Sequence, residues 1–170
     1  GSKRRFHNSG RTPDMNRHMQ WLAGGLALML AGCSGGQPPV EPAVSDGQLS
    51  PCPASPNCVS SQATDPEQRV EPLIYPGEAA AAQATLLAVL NRMERVRIVQ
   101  SSAHFIHAEF RSSVFGFVDD VTFQFGPPGM IQVRSASRSG YYDFGVNRER
   151  VAAIRARFTA APAMPYTHSQ

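Results

Sequence analysis

Between residues 96 and 137 apolar and polar side chains alternate, and this two-residue period constrains the fold of the chain more than any other feature. Such a period is required only where a strand buries one face and wets the other. Four stretches carry it, over residues 96–100, 104–111, 114–125 and 131–137. Phe115, Phe117, Val121, Phe123 and Phe125 share one parity and are predicted to face a core, with Asp119 the polar exception among them. A two-residue turn at Ser112 and Ser113 would put Ile106, Ala108 and Phe110 on that same face. For the next hairpin, a loop over residues 126–130 opposes Phe125 to Ile131 and Phe123 to Val133, whereas a four-residue loop would oppose Phe123 to Gln132. The first register keeps apolar against apolar and is the one expected.

Helical spacing flanks the strands. Leu86, Leu90 and Met93 recur behind an alanine run and predict a helix over 77–93; Val151, Ile154 and Phe158 predict another over 146–158, with Arg148, Arg155 and Arg157 mostly outward. The expected fold is α+β, a four-stranded antiparallel sheet with two helices packed on one face. No internal repeat is visible. At 170 residues, 42% of them hydrophobic, the chain has material for one such core plus appendages.

The appendages are legible in composition. Arg17 and His18 precede an apolar run over 21–30, then Leu30-Ala31-Gly32-Cys33. That layout is the one of a signal peptide, and the run falls short of the roughly 20 residues a membrane span needs. The last four residues resemble the bacterial lipobox, which implies cleavage before Cys33 and diacylation of its thiol. Ser34 rather than aspartate at the next position resembles the outer-membrane sorting pattern. Residues 1–32 are thus expected to be an N-terminal extension and lipoprotein signal peptide. Residues 33–50, rich in Gly and Pro, form the lipidated cysteine and a flexible tether, 51–158 a single α+β domain, and 159–170 a disordered tail. The expected location is the bacterial cell envelope, lipid-anchored in the outer membrane and facing the periplasm.

Charge supports that division. Five of the 16 basic residues and one of the 13 acids precede Cys33, so the mature part holds eleven arginines against twelve acids, about −1. Nucleic acid is excluded as an expected partner because no basic excess remains to neutralise phosphates. The expected partners are a membrane through the lipid at Cys33, and a small polar ligand or an envelope protein.

Two polar clusters follow from the registers. On the core face Asp119 would lie opposite Ile106 and Ser137, and Val121 opposite His104 and Ser135. This suits either a Ser/His/Asp hydrolase, in which serine, base and acid stand in one line, or a buried carboxylate serving the fold. No Gly-x-Ser-x-Gly elbow accompanies it. On the other face Asp120, His107, Arg134 and Arg138 come together with both arginines diagonal to Asp120, either as an exposed ion pair or as an anion clamp. Residues 134–148 concentrate hydroxyls, guanidinium groups, Tyr141, Asn147, Arg148 and a helix start, where free N–H groups attract anions. Asp143 or Asn147 as a helix cap, with glycines in turns, accounts for much of the same segment.

Cys52 and Cys58 are expected to close a small disulfide loop in an oxidising compartment. A metal pair is disfavoured, since no further cysteine or nearby histidine completes four ligands and His104 with His107 makes only two. Four motifs in order, Cys52-Pro-Ala-Ser-Pro-Asn-Cys58-Val59-Ser60-Ser61, Phe117-Val118-Asp119-Asp120-Val121, Arg134-Ser135-Ala136-Ser137-Arg138 and Gly145-Val146-Asn147-Arg148, resemble the domain-of-unknown-function family numbered 1499. The resemblance spans residues 49–158 and implies a secreted, often lipid-anchored protein; it implies no activity, cofactor or catalytic residue.

Overall fold

The computed structural model describes Gly1 and residues 44–45, 47–113 and 115–162. The apolar run, Cys33 and residues 163–170 lie outside the described residues. Two compact units divide the chain, residues 1–37 and 38–170, and all described residues except Gly1 belong to the second.

That unit begins with a small antiparallel hairpin, β1 (Val44–Ser45) and β2 (Gln48–Leu49), which starts inside the segment read as tether. There follow β3 (Cys58–Ser60), β4 (Leu73–Ile74), α1 (Ala79–Asn91), β5 (Val96–Ser102), β6 (Phe105–Arg111), β7 (Val118–Phe125), β8 (Met130–Ser137) and α2 (Val146–Ala160). Strands β3 to β8 form one antiparallel sheet in the order β3-β8-β7-β6-β5, and β4 pairs with β8 as well. The sheet has six strands rather than the expected four. The two additions span three and two residues, too short for any alternation to show. Together they pair along β8 away from β7, so this long strand leaves less backbone open to intermolecular pairing.

The α1 alanine run has high intrinsic helix propensity, and the helix presents Leu86 and Leu90 to the sheet. Val151, Ile154 and Phe158 of α2 join the same core, with Ile106, Ala108 and Phe123 from the strands. Phe123 is wholly buried at its centre. Each such large side chain contributes about 1.5–3 kcal/mol over remaining in water. No described helix is long and apolar enough to cross a membrane.

The β7–β8 register is the one expected, with Phe125 opposite Ile131, Phe123 opposite Val133, Val121 opposite Ser135 and Asp119 opposite Ser137. The β6–β7 register is not. A loop over residues 112–117 replaces the two-residue turn, closed by the Ser112 N–H on the Phe117 carbonyl at 2.8 Å and the Phe117 N–H on the Ser112 hydroxyl at 3.0 Å. Gly116 supplies the positive φ such a turn needs. The pairing shifts by four residues, so Asp119 faces Phe110, and Val121 faces Ala108 rather than His104. Because four is even, every side chain keeps its face. Phe115 and Phe117, expected in the core, leave the strand and stand exposed on the loop.

Candidate functional site

The end of the sheet where β8 stops and α2 starts gathers most of the candidate residues. Asp143, two residues before Gly145, accepts the Gly145 N–H at 3.0 Å and the Asn147 N–H at 2.9 Å, so it caps the helix and places a negative charge at its positive end. Gly140 and Gly145 both take positive φ, which folds residues 138–145 back to this point.

Asn147 is the hub. Its Oδ1 accepts from Ser135 Oγ at 2.6 Å and from Arg150 Nη1 at 2.6 Å. Its Nδ2 lies within donating distance of the Asn57 carbonyl at 3.0 Å, Ser137 Oγ at 3.0 Å and Asp143 Oδ2 at 2.8 Å. Arg150 Nη2 donates in turn to Asp119 Oδ2, and its guanidinium carbon sits 5.0 Å from the centre of the Phe110 ring. Buried polar groups demand partners, and here they have them. Asn57 completes the circuit by donating from Nδ2 to the Gly140 carbonyl at 2.5 Å.

On the other face of the sheet a second network is buried apart from the exposed Arg97, where an exposed pair was one expectation. His107 Nε2 lies 2.7 Å from Asp120 Oδ1, Arg138 donates to both Asp120 oxygens at 2.7 Å and to Glu109 Oε1 at 2.5 Å, and Arg97 donates to Glu109 Oε2 at 2.7 Å. Burial pushes the Asp120 carboxyl up, but hydrogen bonds and charge from Arg138 and His107 outweigh it and hold it below the usual carboxylate range. Glu109 is likewise pushed up by burial and brought below its usual value by Arg97 and Arg138. The hydrogen bond to Asp120 raises Arg138 above the ordinary guanidinium value. Arg134 is lowered by burial, partly offset by the charge of Asp120, and its buried Nε has no partner. The β1–β2 hairpin approaches this face, with the Gly47 carbonyl accepting from Gln124 Nε2.

These bonds decide which chemistry the residues can offer. Ser135 is fully buried and bonded to Asn147 and Arg150, so no substrate can reach its hydroxyl. His104 stands exposed on the two-residue turn between β5 and β6. It is four residues from Ala108, the partner of Val121, roughly 13 Å along the strand. The structure therefore does not bring His104, Asp119 and Ser135 or Ser137 into one line. Of the two arginines of the anion clamp, the first, Arg134, keeps a buried Nε without a partner, and only the second is engaged. Arg138 is held by Asp120 and Glu109, while Arg148 bonds the Arg69 and Glu67 carbonyls at 2.7 and 2.5 Å. Among the described residues no three His, Cys, Asp or Glu side chains form a metal-binding set.

What remains open is a cleft of about 360 Å³ beside the capped helix start, lined by Tyr141, Tyr142, Asp143, Arg148, Asp65 and Glu67 among others. Tyr141 and Tyr142 are exposed at its edge. The disulfide between Cys52 and Cys58, with Cα atoms 5.6 Å apart, closes the loop whose Ala54 and Pro56 form the facing wall.

Sequence reading missed Arg150, Asn57 and Glu109. Arg150 had a signal: it lies three residues after Asn147 and four before Ile154, on the flank of the inward stripe. Glu109 shares the strand parity of His107 and could have been placed with it. Asn57 gives no such sign, because its role is set by the long return of the chain to β8.

A family model described as "Protein of unknown function (DUF1499)" matches residues 48–158. Among curated proteins none matches this chain.

Proposed function

We propose, for a chain that belongs to the DUF1499 family of proteins of unknown function, that it is a lipid-anchored protein of the bacterial envelope whose domain binds a polar ligand at the cleft beside α2. A protein partner would meet the same surface. One observation carries the reading. Ser135, Ser137, Arg138 and Asn147 are tied up in side-chain networks within the domain, while Tyr141 and Tyr142 are held in water over a cleft of about 360 Å³. A cleft of that size suits a small ligand, and tyrosine offers a flat face with a polar tip at low entropic cost. Three acids at the rim, Asp65, Glu67 and Asp143, against the single arginine Arg148 favour a neutral or cationic polar ligand over an anionic one.

The anchor rests on Leu30-Ala31-Gly32-Cys33 behind the apolar run, and the Cys52–Cys58 disulfide fits an oxidising compartment. The outer membrane is proposed from Ser34.

Native mass spectrometry of the full-length product, extracted from envelopes in mild detergent, tests the binding reading. The expected spectrum contains an adduct of small-molecule mass that is lost in Tyr142→Ala. Bare protein in both samples, or an adduct indifferent to Tyr142→Ala, would contradict it.

A further inference from the structure

Among the described residues the exposed aromatic side chains all stand at one end of the sheet. Phe115 and Phe117 are 76% and 55% exposed on the β6–β7 loop, with ring centres 5.7 Å apart. Phe144 is 86% exposed on the β8–α2 loop, its ring 5.4 Å from that of Tyr142. The two loops leave neighbouring strand ends, joined by the Arg138 N–H on the Val118 carbonyl at 3.1 Å. None of the three phenylalanines lines the cleft.

Phe144 also sits at φ 55, in the left-handed region that a β-carbon makes unfavourable. That backbone turn serves the cap, since Phe144 lies between Asp143 and the Gly145 and Asn147 N–H groups that Asp143 accepts. The cap needs no large apolar side chain in water, and the exposed ring points to contact with something outside the domain. Exposed arginines flank the phenylalanine pair. Arg92 and Arg95 lie on the α1–β5 turn, and the Arg111 N–H bonds the Arg95 carbonyl at 3.0 Å. Glu94 is the one exposed acid on that turn, and it pairs with Arg95 at 3.2 Å in water, a contact lipid phosphate must replace.

We propose that this end of the sheet docks on an anionic lipid surface, with Phe115, Phe117 and Phe144 in the interfacial layer and Arg92, Arg95 and Arg111 against lipid phosphates. Apolar rings beside guanidinium groups match the two layers of such a surface, acyl chain and phosphate. The chain length allows it. The eleven steps from Cys33 to Val44 span at most roughly 36 Å. The eight residues of β7 span roughly 26 Å from the hairpin end to the aromatic end. A domain tethered at one end can therefore lay the other on the same bilayer. This setting rests on the lipid-anchored reading, but the contact itself needs no lipid on Cys33.

The test accordingly uses the full chain with Cys33→Ser, so that docking can fail while fatty-acid labelling of Cys33 in the parent still succeeds, or the reverse. Trp21→Phe removes the single tryptophan. Phe117→Trp or Phe144→Trp then places a reporter at the aromatic end, and Val99→Trp a control on β5. With vesicles of phosphatidylethanolamine and phosphatidylglycerol, the reporters at 117 and 144 are expected to shift to the blue. They should lose at least half their intensity to brominated acyl chains, and the control should do neither. Adding Arg95→Gln and Arg111→Gln is expected to lower the quenched fraction at equal lipid; an unchanged fraction would overturn the anionic contact. Bound protein with unquenched reporters, or no binding, would overturn the proposal. So would a blue shift that grows with protein concentration in the absence of lipid, which would mean that the surface meets a second copy.

Discussion

The side-chain amide of Asn147 donates to the backbone carbonyl of Asn57 at 3.0 Å, across ninety residues of chain. That carbonyl also accepts the Ser137 N–H at 3.0 Å, so one bond at the start of α2 holds the disulfide loop against the end of β8. Asn147→Ala removes the hub and strands the groups it served. The expected loss of unfolding free energy is about 2–4 kcal/mol, against about 0.5 kcal/mol or less for the exposed Tyr142→Ala. Urea denaturation of both variants checks it; equal small losses would mean that the network is not holding the helix.

Asp119 and Asp120 are neighbours on opposite faces, and sequence parity suggested that the first would be buried and the second exposed. Both are buried, each beside an arginine. Removing one member of a buried pair leaves the other charged and unmet, so Asp119→Ala and Asp120→Ala should each cost about 2–4 kcal/mol. A small cost for Asp120→Ala alone, read from the same melts, would show that its face is open to solvent.

The second network should also set the acid limit of stability. Asp120 and Glu109 have folded-state pKa values below their ordinary ones, so the unfolded chain binds protons more readily. Their contribution is then full above about pH 4.5 and is lost as pH falls through the lowered folded values. Stability measured from about pH 7 to pH 3 should fall less steeply in acid for Glu109→Gln combined with Asp120→Asn than for the parent. Parallel curves would mean that this network does not set the acid limit.

Most of the fold was legible because long strands and helices repeat their pattern. The β7–β8 register followed from matching Phe123 to Val133 and Phe125 to Ile131, and the faces of Asp119 and Asp120 followed from parity alone. The short strands β3 and β4 left no periodic trace, and the β6–β7 loop hid behind Phe115 and Phe117, whose alternation continues the strand pattern into a loop. Of the candidate site, residues 134–148 were found, but not the inward direction of their bonds. That direction depends on Arg150 and Asn57, brought in from α2 and from the disulfide loop.

The Cys52–Cys58 disulfide closes a short loop, and loop-closure entropy gives it about 2 kcal/mol. Because Cys58 is also paired with Ala136 in the sheet, the double variant Cys52→Ala, Cys58→Ala should still fold. Hydrogen exchange should quicken over residues 52–57 while α1 remains protected. Uniform loss of protection would make the bridge a requirement of the whole fold.

Ligand binding at the cleft is read from the tyrosine-selective NMR spectrum of the full chain before and after addition of a small-molecule extract of bacterial envelopes. Tyr75 is buried in the core, whereas Tyr141 and Tyr142 stand at the cleft. The resonances of Tyr141 and Tyr142 are expected to move saturably and that of Tyr75 to stay in place. Saturable movement confined to Tyr75, or no movement at the cleft at any extract concentration, would contradict binding there.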